Sequence, residues 1–217
     1  ELIDDLIVKQ TNPTLAIYAR RGEIIIRITA KAVDATAATV MLDEEEATLR
    51  ERLEKYIYGV DDETLASYLG KKLLKQHKTI SFAESCTGGL ASNLVTDIAG
   101  SSEYLIGSIV TYTNEAKHNL LKVKEETLNA YGAVSEETAL EMAQGVRKLF
   151  GSDFGVGITG NAGPGGSEGK PVGLVYIAIA TPDEVYCKEF NFTSTRIENK
   201  LRIALTAISM VIDKLSE

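Results

Sequence analysis

The chain has 217 residues, 44% hydrophobic and 25% charged, enough for one large domain or an ordinary domain with a small one. Its net charge of -8 argues against broad binding to nucleic-acid backbone or an anionic membrane. Two cysteines and two histidines support neither a disulfide framework nor a metal site, and no apolar run approaches the roughly 20 residues of a membrane helix.

The start, Glu1-Leu-Ile-Asp-Asp, is unlike a signal peptide and carries no initiator Met. A cytoplasmic, reducing setting is expected, with a further segment upstream. Thr14 to Arg20 and Ile24 to Ala30 are β-rich runs joined at Arg21-Gly22-Glu23, a hairpin signal. Ala32 to Val40 has no clear period. From Asp43 a helix is expected, with Asp43 to Glu46 in its first turn and Leu49, Leu53 and Ile57 on one face. Tyr58 to Asp62 reads as a boundary between a small α+β unit (1–60) and a larger domain (61–217).

Beyond it, Thr64 to Gln76 is an amphipathic helix, and strands then alternate with helices. The pattern predicts a strand at Thr79 to Ala83, a helix at Gly88 to Ile98 and a strand at Tyr104 to Tyr112. Helices follow at Asn114 to Leu121 with Asn114 as cap, at Glu125 to Tyr131, and from the Ser135 cap to Phe150. Phe154 to Thr159 is a strand leading to a glycine-rich loop. Leu174 to Ala180 and Val185 to Phe192 form a hairpin about Pro182-Asp183, and Thr195 to Leu215 is a long helix. This alternation predicts an α/β fold, a three-layer α/β/α domain whose late hairpin makes its sheet mixed.

Chemistry-bearing residues gather at three junctions. Glu84-Ser85-Cys86-Thr87-Gly88-Gly89 lies between a strand end and a helix start, where open α/β sheets place their sites. The glycines admit a ligand to the backbone, and free N–H groups there suit a phosphate or an oxyanion. A plain structural turn, with Ser85 or Thr87 as cap, fits the same residues. The second junction, Thr111 to Lys117, offers Tyr112 and Lys117. With histidine scarce, a lysine or tyrosine is the natural base for a serine nucleophile. A core tyrosine and a surface lysine would look the same by spacing. The third is Gly157 to Ser167, continuing to Gly173, a loop rich enough in glycine to cradle phosphate yet lacking the Gly-Lys-Ser/Thr of a Walker motif. Arg196, opening the last helix, fits a phosphate partner or a solvated charge equally. Cys86 with His118 is a conceivable thiol–imidazole pair, although a small buried cysteine is the simpler reading.

Together these segments resemble the CinA family of competence/damage-inducible proteins. The matching stretches are AESCTGG (Ala83–Gly89), TDIAGSS (Thr96–Ser102), VTYTNEAK (Val110–Lys117), GAVSEET (Gly132–Thr138), GITGNAGPGG (Gly157–Gly166) and KPVG (Lys170–Gly173), in the family's order across residues 62–217. The resemblance implies hydrolysis of nicotinamide mononucleotide (NMN) to nicotinate mononucleotide and ammonia, with no metal and no cofactor. It implies Ser85 as nucleophile and Lys117 with Tyr112 as the base system. Cys86, Thr87, Gly88, Gly89, Thr159, Gly160, Gly163 and Arg196 would form the oxyanion and nucleotide contacts. Asn161 departs from the apolar residue expected before AGP. Residues 1–60 resemble the family's small KH-type domain, but their acids outnumber their bases and no Gly-x-x-Gly loop is present, so no RNA partner is expected. A homodimer is implied by the resemblance alone. The same glycine loops would also serve a non-catalytic nucleotide-binding module, which an ammonia assay would distinguish.

Overall fold

The computed structural model describes residues 2–20 and 22–217; Arg21, part of the expected hairpin turn, lies outside the described residues. The chain divides into two compact units, Glu1–Asp62 and Glu63–Glu217. Among the described residues no helix is long and apolar enough to cross a membrane.

The first unit comprises helix α1 (Asp4–Lys9), strands β1 (Thr14–Arg20) and β2 (Glu23–Thr29), and helix α2 (Ala35–Leu53). The strands pair antiparallel from Thr14 with Thr29 to Arg20 with Glu23. Ile3, Leu15 and Leu49 form its buried centre, with Leu6, Ile26, Ile28 and Leu53 around them. Two expectations change here. Helix α1 was not anticipated, and α2 starts eight residues before Asp43. Asp34 caps α2 by accepting from the Ala37 amide, and the alanines that follow favour a helix without needing a buried face. Asp43 to Glu46 therefore lie in mid-helix, not in a first turn.

The second unit runs α3 (Leu65–Lys75), β3 (Ile80–Glu84), α4 (Leu90–Thr96), β4 (Leu105–Val110), α5 (Asn114–Leu121), α6 (Glu125–Tyr131), α7 (Glu136–Phe150), β5 (Phe154–Gly160), β6 (Leu174–Ala180), β7 (Val185–Asn191) and α8 (Arg196–Lys214). Its five-stranded sheet has the order β4-β3-β5-β6-β7. β3 is parallel to both β4 and β5, while β6 and β7 join antiparallel, so the sheet is mixed, as expected. Helices α3, α4 and α8 cover one face around Phe82, Val156, Ile158, Ile177 and Ile208. Helix α7 covers the other, with α5 beside it, around Ala83, Leu121, Met142 and Val146. That makes three layers.

Two element starts differ from expectation. Gly88 and Gly89 take left-handed conformations, with φ of 64° and 93°, so α4 begins only at Leu90. Thr113, not Asn114, caps α5 by accepting from the Ala116 amide.

Helix α7 presses close to the sheet because β5 alternates glycine on that face. A methyl group on Gly157 would sit 2.4 Å from the Ala139 carbonyl oxygen and 2.7 Å from the Ala143 nitrogen. Gly157→Ala is expected to destabilise this unit by about 1–3 kcal/mol, since backbone cannot yield as a side chain can. Urea denaturation measures this; an unchanged midpoint would show that α7 can shift outward freely.

Candidate active site

The connection leaving β3 passes to the α4 face, and the one leaving the adjacent β4 passes to the α5–α7 face. Diverging connections open a crevice at the carboxyl ends of these two strands. Ser85 and Lys117 both belong to it.

Side chains alternate along a strand, so Glu84 and Ser85 point to opposite faces. Glu84 is fully buried and turns toward α4. Its carboxylate accepts from the amides of Gly89 (3.0 Å), Ala91 (3.1 Å) and Ser92 (2.9 Å), and from Ser92 Oγ (2.8 Å). The Gly88 amide donates to the Ser85 carbonyl at 3.1 Å. The helix start expected to offer free N–H groups is thus filled from within, and the Gly88 and Gly89 amides are not open to an oxyanion. Among the described residues, the Cys86 and Thr87 amides reach no carbonyl or carboxylate. Thr87 Oγ1 is buried, likewise without a partner. These groups are among the donors left at the turn.

Ser85 sits where the β3 ladder continues one residue further, its amide donating to the Ile158 carbonyl at 3.0 Å. Its side chain meets Lys117, which α5 delivers one turn in from the Thr113 cap. Lys117 Nζ lies 3.1 Å from Ser85 Oγ and donates to the carbonyls of Thr111 (2.9 Å) and Tyr112 (3.3 Å). The lysine is only 1% exposed. Burial disfavours its charged form and lowers its pKa to about 8, with the Glu168 carboxylate pulling the other way. An amine so lowered can hold or release a proton near neutral pH.

Tyr112 approaches Lys117 through its backbone carbonyl. Its phenol is largely exposed and accepts a 3.1 Å hydrogen bond from Arg196 Nη2, while Arg196 Nη1 donates to the Gly163 carbonyl. Arg196 therefore ties the β4–α5 turn to the glycine loop. Thr159, 1% exposed, gives its hydroxyl hydrogen to the Ala133 carbonyl at 2.6 Å. Gly160 packs against β6, where a methyl group would meet Val175 at 2.6 Å; close strand packing accounts for this glycine. Asn161 braces the loop from inside, its amide donating to the Lys170 and Pro171 carbonyls and its oxygen accepting from Ser167 Oγ.

Two loop residues, Lys170 of the KPVG stretch and Glu168, which no motif singled out, pin this loop to the α6–α7 junction. The Glu168 carboxylate accepts from the Ala133 and Val134 amides, and Lys170 Nζ donates to the Tyr131 and Val134 carbonyls. Sequence offered no direct signal for Glu168. Glu84 carried no capping signal either, since five residues separate it from the α4 start at Leu90.

The thiol–imidazole alternative is not assembled. Burial pushes the Cys86 thiol up to about 12, and His118 Nδ1 lies 2.9 Å from the Val123 carbonyl. Among the described residues, no three His, Cys, Asp or Glu side chains gather as metal ligands would.

Comparison with known proteins places these residues in context. The family model for the CinA C-terminal domain matches residues 62–215, and that for the damage-inducible protein CinA KH domain matches residues 1–59. A CinA-like protein of Kosmotoga olearia is 45% identical over 212 residues, covering 97% of this chain and 52% of the relative. A CinA-like protein of Prochlorococcus marinus is 44% identical over 219 residues, covering 98% and 51% respectively. The chain thus spans about half the length of the curated relatives it matches. Among solved structures, the competence/damage inducible protein CihA from Agrobacterium tumefaciens is similar with a TM-score of 0.66 and 39% identity, over 73% of this chain and 100% of that one.

Proposed function

Because this chain belongs to the CinA family, we propose that its larger unit is an amidohydrolase converting NMN to nicotinate mononucleotide and ammonia. The observation that carries this reading is the 3.1 Å approach of the buried Lys117 amine to Ser85 Oγ. A serine hydroxyl needs a base within hydrogen-bond reach, and this lysine meets that need without an imidazole.

In the first half-reaction, neutral Lys117 takes the Ser85 hydroxyl proton as Oγ attacks the carboxamide carbon. The resulting oxyanion is received by the Cys86 and Thr87 amides. Collapse breaks the C–N bond, and the Lys117 proton passes to the departing nitrogen, releasing ammonia and leaving an ester on Ser85. In the second, Lys117 deprotonates a water that attacks the ester. The serine leaves with that proton, and the pyridine carboxylate is freed. Tyr112 serves this sequence by holding the amine through its carbonyl, with its phenol and Arg196 at the rim of the site.

The pH dependence tests this reading. With a lysine pKa of about 8, about one amine in ten is neutral at pH 7. Ammonia release from subsaturating NMN is expected to rise about tenfold per pH unit below that value and to level off above it. No ammonia from NMN at any pH would leave a nucleotide-binding module in place of an enzyme. A limb in the carboxylate range would remove Lys117 as the base.

A further inference from the structure

Arg196 was the expected phosphate ligand, yet two of its guanidinium nitrogens are already engaged, by Gly163 and Tyr112. One helical turn further along α8 stands Lys200, on the same face because residues four apart in a helix are neighbours. Lys200 is half-buried and makes no hydrogen bond or ion pair among the described residues. It also reaches back to the nucleophile turn. A methyl group placed on Gly88 would sit 3.6 Å from Lys200 Nζ. Apart from the glycine's chain neighbours, no other described heavy atom lies within 4 Å of that position. The space over Gly88 is therefore open, floored by bare backbone and walled on one side by an uncompensated ammonium.

Gly88 and Ser85 close a tight turn, so their Cα atoms lie within about 7 Å of each other. The ammonium therefore stands over the same turn that carries the nucleophile, so that one ligand lying across Gly88 can reach both. In a chain of net charge -8, an unpaired cation held beside an open glycine turn is matched to an anion brought by a ligand.

Resting on the amidohydrolase reading of the same site, the geometry points to Lys200 as the residue that receives the 5′-phosphate and so selects a mononucleotide over the corresponding riboside. Arg196 acts beside it chiefly as a tie between the loop and Tyr112. The phosphate stays bound throughout; no bond to it forms or breaks.

The test combines binding with turnover. Nicotinate mononucleotide and nicotinate riboside are titrated calorimetrically into the full chain and into Lys200→Gln and Lys200→Arg, and ammonia release is followed with NMN and nicotinamide riboside. Lys200→Gln is expected to weaken mononucleotide binding and raise KM for NMN by about tenfold or more. The loss on the riboside should be at least about tenfold smaller, and Lys200→Arg should recover most of the lost affinity. Equal losses on mononucleotide and riboside, or a change below about twofold in Lys200→Gln, would overturn the assignment. Lys200-dependent mononucleotide binding without ammonia release would retain the phosphate site and remove the amidohydrolase. Wild-type turnover indifferent to Lys200→Gln would do the reverse, and a wild-type chain that binds neither ligand would remove both.

Discussion

Ammonia release from NMN is expected to fall by about 10⁴-fold or more in Lys117→Met, and by a similar factor in Ser85→Ala. Their combination should be scarcely worse than either alone, because in the proposed mechanism nucleophile and base act as one unit. The methionine keeps the length of the lysine stem but removes the amine that stands 3.1 Å from Ser85 Oγ and 2.9 Å from the Thr111 carbonyl. Residual activity should lose its rise toward pH 8. A stability measurement separates lost chemistry from lost structure. Burial lowers the lysine from its ordinary 10.5 to about 8, so between those values the unfolded chain binds the extra proton. Stability contributed by this group therefore rises with pH across that window, and the ammonium penalises folding below it. Lys117→Met should show no such rise. If single and double variants lose activity additively, the two residues do not share a proton, and the base must be sought elsewhere.

That pairing was only half-legible in the sequence. Ser85 and Lys117 stand out because each follows a strand end, and the alternation of strands and helices brings strand ends to one edge of the sheet. Whether a lysine one turn into a helix faces the crevice or the solvent depends on which face its helix buries. Leu121, on the same side of α5 as Lys117, packs beneath the sheet and fixes that choice. Tyr112 shows the limit. It precedes the Thr113 cap and follows the end of β4, so neither the helical nor the strand period governs its side chain, and its phenol goes to Arg196. The α2 start was hidden for another reason. An alanine-rich, largely exposed first half has no apolar period to read, and a single capping aspartate sets the boundary.

The second large effect is structural and begins at a residue that touches no substrate. Glu84 is fully buried, and its carboxylate takes four hydrogen bonds from Gly89, Ala91 and Ser92. Glu84→Ala strands three buried or half-buried amides and leaves a void under the turn. A loss of about 3–5 kcal/mol in urea denaturation is expected, from the stranded amide donors and the cavity together. Glu84→Gln keeps the shape but loses the charge and presents an NH₂ where an acceptor stood, so it should fall between wild type and alanine. The consequence for chemistry follows from chain order. Ser85 is the next residue, and the amides freed in Glu84→Ala lie four to seven residues beyond it, so the turn that aims Ser85 Oγ at Lys117 loses its anchor. Activity per folded molecule should therefore drop even where the variant is fully folded, through kcat more than KM, because the misplaced group is the proposed nucleophile. A Glu84→Ala chain with its midpoint and kcat both intact would mean that the α4 start is held by something other than this carboxylate.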